Sequence, residues 1–196
     1  MSTDTRDVEL VGEEVLENVA RAALFAALIG AFAYVSFPNP LSPQGLPVTL
    51  QVLGVFLAGI MLGPLWGGFA LVLYLLAGAV GAPIFQGGSA GLGHLLGAPT
   101  MGYLWGYPLA AVAIGAIVHG GATIRDPQEV HVARLVGAMV VGTAIIYALG
   151  MAGLMLVSGL GLAAAFTAGA APFIPAELVK LVAAVAVVRS DELAAE

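Results

Sequence analysis

The chain has 196 residues, of which 60% are hydrophobic and only 9% charged, with a mean hydropathy of +1.02 and a formal net charge of −6. Soluble domains carry about 25% charged residues, so the composition excludes one and describes an integral membrane protein in contact with lipid. Six basic residues in an acidic chain give no footprint for a nucleic acid, and the lack of cysteine excludes disulfides and thiolate-bound metals; no metal and no cofactor is expected.

Residues 1–18 set Asp4, Asp7, Glu9, Glu13, Glu14 and Glu17 against Arg6. A signal peptide starts basic, so this stretch reads instead as an acidic, solvated, partly helical arm. From Ala22 to Ile124 there is no Asp, Glu, Lys or Arg, and from Leu135 to Val188 the only two are Glu177 and Lys180. A membrane helix needs about 17 to 25 mostly apolar residues. Helix breakers divide the apolar sequence into six such segments, near Ala20 to Phe37, Pro47 to Gly63, Leu65 to Ala82, Pro99 to His119, Leu135 to Val157 and Pro172 to Val188. The expected fold is all-α and polytopic: six transmembrane helices over residues 19–189, followed by a short tail at 190–196.

Linker one, Pro38 to Pro47, holds four prolines in ten residues and cannot be helical. Linker two is the Gly63-Pro64 turn. Linker three, Pro83 to Ala98, is rich in glycine and carries Gln86, Ser89 and His94, too polar and flexible to cross lipid as helix. Linker four, Gly120 to Arg134, is the charged one, and linker five runs over Ser158 to Gly161. With six spans, both termini and linkers two and four share one side, where Arg6, Arg21, Arg125, Arg134 and Arg189 all fall. The positive-inside rule puts that side, and both termini, in the cytoplasm. Linkers one and three then face outside, and substrate is expected to enter there.

An ionisable side chain at the centre of a membrane helix costs about 2.5 to 3.5 kcal/mol on insertion scales. Glu177 and Lys180 are three residues apart and share a helix face, so they can partly neutralise each other. At about 1.5 Å per residue Lys180 lies roughly 12 Å below Pro172, too deep to snorkel easily. Such a pair either binds a ligand, moves a proton or pins helix packing. In the second span Thr49 and Gln51 offer a hydroxyl and an amide to a polar, uncharged ligand, although Thr49 also suits a helix cap. Tyr103, Trp105 and Tyr107 cluster near the outer end of span four, with Tyr34, Phe37 and Phe85 at similar depth. An interfacial aromatic belt explains such a cluster. Tyr103 and Trp105, however, are about 200° apart on a helix, so one of them faces the interior. Substrate-binding candidates are therefore Glu177, Lys180, Gln51 and Thr49, joined by Gln86, Phe85, Tyr103 and Trp105.

Gly87-Gly-Ser-Ala-Gly91 fits G-x-S-x-G, which raises an intramembrane serine hydrolase acting through Ser89, but no strand precedes it to form the required elbow. No catalytic residue is assigned. The single lysine is not in a P-loop, so the chain has no ATPase motif of that kind. Small residues recur every fourth position, as in Ala23, Ala27 and Ala31, a spacing that suits close packing inside the bundle or against a partner.

Several stretches together resemble the BioY family, the biotin-binding S components of energy-coupling-factor transporters: Pro47-Val-Thr-Leu-Gln-Val-Leu-Gly-Val-Phe-Leu-Ala-Gly59, Leu62-Gly-Pro64, Tyr74-Leu-Leu-Ala-Gly-Ala-Val-Gly-Ala-Pro-Ile-Phe85, Gly87-Gly-Ser-Ala-Gly-Leu-Gly93, Leu95-Leu-Gly97 and Phe173-Ile-Pro-Ala-Glu-Leu-Val-Lys180. The resemblance implies six helices and capture of biotin from outside across the plasma membrane. It also implies coupling to a transmembrane T subunit and two ATPase subunits. Two stretches depart from the family pattern. Glu177 stands where Asp is usual, and Ala98 and Met101 replace glycines in Ala98-Pro-Thr-Met-Gly-Tyr103. An S component for another vitamin and a stand-alone carrier using Glu177 for protons are the alternative readings.

Overall fold

The structure, a computed structural model, describes residues 12–42, 46–121 and 123–190. Residues 1–11 of the expected acidic arm and 191–196 of the tail lie outside the described residues. Helix α1 (Glu13–Tyr34) begins within the arm, ahead of the apolar stretch. It leads into a two-residue strand β1 (Ser36–Phe37), paired antiparallel with β2 (Val48–Thr49). This clasp closes linker one into a loop and delivers the chain to α2 (Gln51–Ala79).

Helix α2 is not one rod. Gly63 has φ +74° and ψ −175°, a conformation open to glycine and strained for other residues, and Pro64 after it lacks the N–H that would continue the ladder. The chain reverses there. A Cβ on Gly67 would come 2.7 Å from the Ala58 carbonyl, and the Gln51 side-chain nitrogen lies 2.6 Å from the Tyr74 hydroxyl. Those two residues are 23 apart in sequence, which a straight helix would separate by about 35 Å. The two arms therefore supply the second and third of the six expected spans. Among the described residues five helical stretches are long and apolar enough to cross a membrane by length and composition, with Gln51–Ala79 and Leu162–Val188 each counted as one.

Linker three contains a 3-10 turn (Gln86–Gly88) and the six-residue helix α3 (Leu92–Gly97), which the sequence pattern did not suggest. Then come α4 (Met101–His119), α5 (Val132–Ser158), the short α6 (Leu162–Gly169), a 3-10 turn over Ala171–Phe173 and α7 (Ile174–Val188). The His131 ring accepts the Ala133 N–H to cap α5, and Gly159, at φ +65°, ends it. At one end of the bundle Arg189 donates to the Gln128 and Val130 carbonyls, joining the end of α7 to linker four. At the other end linker one meets the α6–α7 junction, where Asn39 donates to the Pro172 carbonyl at 3.2 Å.

Helices α2, α4 and α5 pack at glycines, as small-residue spacing in lipid requires. A Cβ on Gly59 would stand 2.8 Å from the Ala111 carbonyl, and one on Gly102 would overlap the Leu149 carbonyl. Gly102→Leu should therefore lower unfolding stability by about 1 to 3 kcal/mol, measured by thermal unfolding in detergent. Gly137→Ala, which meets nothing within 4 Å, should leave the midpoint unchanged.

Candidate functional site

The α2 reversal and the two loops at the linker-one end create a recess. From Gln51 to Gly63 the first arm of α2 is only about 20 Å of helix, short of a full crossing. Its start, with β2 just before it, lies below the loops that cover that end. Helix α7 is likewise recessed, because α6 and the 3-10 turn take up the chain before Ile174. Between these two helix starts lies a cavity of about 60 Å³, room for several waters. Leu46 and Pro47 of linker one, and Gln86 and His94 of linker three, lie at its mouth.

The floor carries the charges. Glu177 and Lys180 are one turn apart on α7, each with a side chain only 5% exposed. The Lys180 ammonium and the Tyr147 hydroxyl both donate to Glu177 Oε1, at 2.7 and 2.8 Å. The other carboxylate oxygen, Oε2, is buried and has no hydrogen-bond partner among the described residues. One oxygen of the carboxylate is thus held by two donors, while the other keeps its acceptor capacity.

The opposite wall comes from α2. Thr49 donates to Gln51 Oε1 at 3.0 Å, the Gln51 amide nitrogen donates to the Tyr74 hydroxyl, and Tyr74 donates to the Ile84 carbonyl at 3.1 Å. Gln51 is thereby fixed in orientation and keeps one N–H and one lone pair. Aromatic side walls complete the slot. Tyr103 lies edge-on to Tyr147 at 5.8 Å between centroids, and Tyr147 is tilted against Phe173 at 6.0 Å. The Tyr103 hydroxyl donates to the Gly169 carbonyl at 2.7 Å, which ties α4 to α6. A second hollow, about 310 Å³, opens on the outer faces of α5, α6 and α7, and Tyr147 and Glu177 form the wall between it and the cavity.

Of the sequence candidates, Glu177, Lys180, Gln51, Thr49, Gln86 and Tyr103 come together around this cavity. Trp105 and Phe85 do not. Trp105 is 47% exposed on the outer surface of α4, its indole N–H donating to the Leu95 carbonyl at 2.9 Å. It is thus the outward member of the Tyr103–Trp105 pair. Phe85 is fully buried against Gly78 behind the cavity, edge-on to Tyr74 and stacked on His94, because linker three folds back onto the second arm of α2. Sequence reasoning missed Tyr147, Tyr107, Phe173 and His94 as wall residues. Tyr147 carried a readable signal, a lone phenol in an otherwise apolar span.

Ser89 does not sit on a strand-to-helix elbow. It pairs with Phe85 in a tight β-bridge, while His94 bonds Thr100 rather than Ser89. Among the described residues no cluster of His, Asp or Glu could hold a metal.

The defining sequence pattern of the BioY family matches residues 3–195. The chain is 43% identical over 175 residues to the biotin transporter BioY of Rhodobacter capsulatus, covering 84% of this chain and 87% of that one. It is 36% identical over 177 residues to the probable biotin transporter BioY of Pyrococcus horikoshii, covering 90% and 96%. The fold matches the crystal structure at 2.1 Å of the S-component for biotin from an ECF-type ABC transporter, with a TM-score of 0.78 at 22% identity over 91% of this chain and 92% of that one. The chain belongs to the BioY family.

The geometry of the pair makes a prediction about stability. Removing one partner of a buried ion pair typically costs 3 to about 5 kcal/mol, whereas replacing both with neutral groups of similar shape is often harmless. Lys180→Met should therefore destabilise the folded protein more than the double variant Glu177→Gln/Lys180→Met. Thermal unfolding in detergent without ligand checks this, the double variant melting above the single one.

Proposed function

We propose that this chain is the substrate-capture subunit of a biotin uptake system in the plasma membrane, loading biotin from outside. The observation that carries the reading is the buried Glu177–Lys180 pair, which lines an aromatic-walled cavity and leaves carboxylate oxygen Oε2 without a hydrogen-bond partner among the described residues. Biotin has a neutral ureido head with two N–H donors and a carbonyl acceptor, an apolar fused ring and a carboxylate tail. Glu177 Oε2 accepts a ureido N–H, Lys180 and the remaining Gln51 N–H face the carbonyl, and Tyr103, Tyr147 and Phe173 pack the ring. The relatives named biotin transporters support the choice of ligand.

The partition of arginines supports the orientation, with both termini and linkers two and four in the cytoplasm. Linkers one and three then form an external cover that must part for biotin to enter. The chain has no P-loop, so the energy comes from elsewhere: a T subunit and two ATPase subunits. Ala23, Ala27 and Ala31 are all exposed along α1, a flat small-residue face suited to a helical partner in lipid.

Calorimetric titration of the purified protein in detergent tests the reading. Biotin should bind with a Kd of about 1 μM or tighter, near −8 kcal/mol, and riboflavin and thiamine should not bind. Folded protein that takes up no biotin at about a hundredfold higher concentration would overturn it. Ala27→Leu should impair co-purification with the energising subunits while leaving biotin affinity within about threefold, since the residue faces away from the cavity.

A further inference from the structure

The floor accounts for a neutral polar head group but leaves the acidic end of such a ligand without a partner. Lys180 lies one turn beyond Glu177 from the loops and donates to its carboxylate, so it serves the head-group end of the cavity. No Lys or Arg occurs in linkers one, three or five. At the mouth, three side chains of linker three and its exit into α4 line the cavity: Gln86, His94 and Thr100. His94 Nε2 lies 3.2 Å from Thr100 Oγ1. The imidazole is stacked on the Phe85 ring at 5.5 Å with 21° between planes, and Phe85 is itself fully buried against Gly78. The ring is therefore held in place before any ligand arrives.

We propose that Gln86, His94 and Thr100 form a carboxylate subsite at the mouth of the cavity, with His94 as the residue that supplies positive charge. The inference rests on the reading of the cavity as a site for a ligand with a neutral head and an acidic tail. In the tautomer protonated at Nε2, the ring donates to Thr100 Oγ1, which frees the Thr100 O–H to donate to a carboxylate. The Gln86 amide supplies further N–H donors. The ring's other nitrogen has no hydrogen-bond partner among the described residues, and once protonated it adds a charge-assisted donor. No acidic side chain belongs to either linker, so the mouth suits an anion and not a cation.

Desolvation holds the His94 pKa below the usual imidazole value, so the empty site is neutral at pH 7. A bound carboxylate favours the imidazolium, and binding then takes up a proton. Affinity for the acid accordingly rises as pH falls through the imidazole pKa of the complex, and levels off below that of the empty site. The other titratable groups lining the cavity are Tyr103 and Tyr107 on α4, Tyr147 on α5, and Glu177 and Lys180 on α7. The elements packed against linker three also carry Glu13, Glu14, Glu17, Arg21 and Tyr34 on α1, Tyr74 on α2 and His119 on α4; none of those lines the cavity, and each acts alike on a charged and an uncharged tail. Glu177 and Lys180 meet the ligand's head, so they act equally on a ligand whose tail is neutral.

The experiment titrates the full-length protein in detergent with biotin and with biotinamide, the uncharged tail amide, between about pH 8 and about pH 5.5, either side of the ordinary imidazole pKa. Biotin should gain about tenfold in affinity towards the acid end while biotinamide changes less than twofold. His94→Gln should flatten the biotin profile and, at the acid end, cost biotin at least about fivefold more than biotinamide. Parallel profiles for the two ligands in the wild-type protein overturn the carboxylate subsite and leave the proposed function standing. That comparison needs no variant to fold. Absence of binding by either ligand at every pH removes the proposed function and the subsite together.

Discussion

The Glu177–Lys180 pair is the constraint around which the rest of this protein is arranged. Two charges taken out of water each carry a desolvation penalty of several kcal/mol, which mutual attraction repays only with good geometry and further hydrogen bonds. Here the repayment is partial. Lys180 and Tyr147 share one carboxylate oxygen, and the second oxygen is buried without a partner. An apolar side chain at that position would avoid the penalty altogether, so the pair is the part of the bundle least accounted for by stability.

The surrounding architecture holds the walls around that pair. Tyr147 is held between Tyr103 and Phe173, and Tyr103 is anchored by the Gly169 carbonyl and seated over Gly150. The helices that carry these rings approach closely because glycines stand at their contacts, Gly59 with α4 and Gly102 with α5. On the far wall the chain from Thr49 through Gln51 and Tyr74 to the Ile84 carbonyl fixes an amide that would otherwise rotate. It also ties that wall to the start of linker three. Walls fixed by these contacts give a preorganised slot, which lowers the ordering cost for a ligand.

Much of this was legible in the sequence, and the exceptions have physical causes. The reversal at Gly63 is written locally, because Gly-Pro inside an apolar run can only break a helix. The depth of Glu177 and Lys180 follows from counting residues from Pro172. The 200° between Tyr103 and Trp105 required one of them to turn inward, and the structure assigns that place to Tyr103. Phe85, a substrate-binding candidate by its depth beside the aromatic cluster, is instead buried through the return of linker three onto Gly78, a long-range contact that no local periodicity encodes. Tyr147 and His94 became wall residues only through the packing of α5 against α7 and of α3 against α4. The α6 helix and the 3-10 turn before Ile174 were hidden within one continuous stretch of small apolar residues.

The central claim is that the buried pair exists for the ligand and not for the fold. Calorimetric titration of biotin into the double variant Glu177→Gln/Lys180→Met, with its unfolding midpoint measured alongside, tests this most directly. The account predicts a protein that folds and melts at or above the wild-type temperature while losing biotin affinity by at least about a hundredfold, equivalent to some 2.7 kcal/mol. A double variant that binds biotin like the wild type, or one whose loss of binding only follows a loss of folded protein, would contradict it.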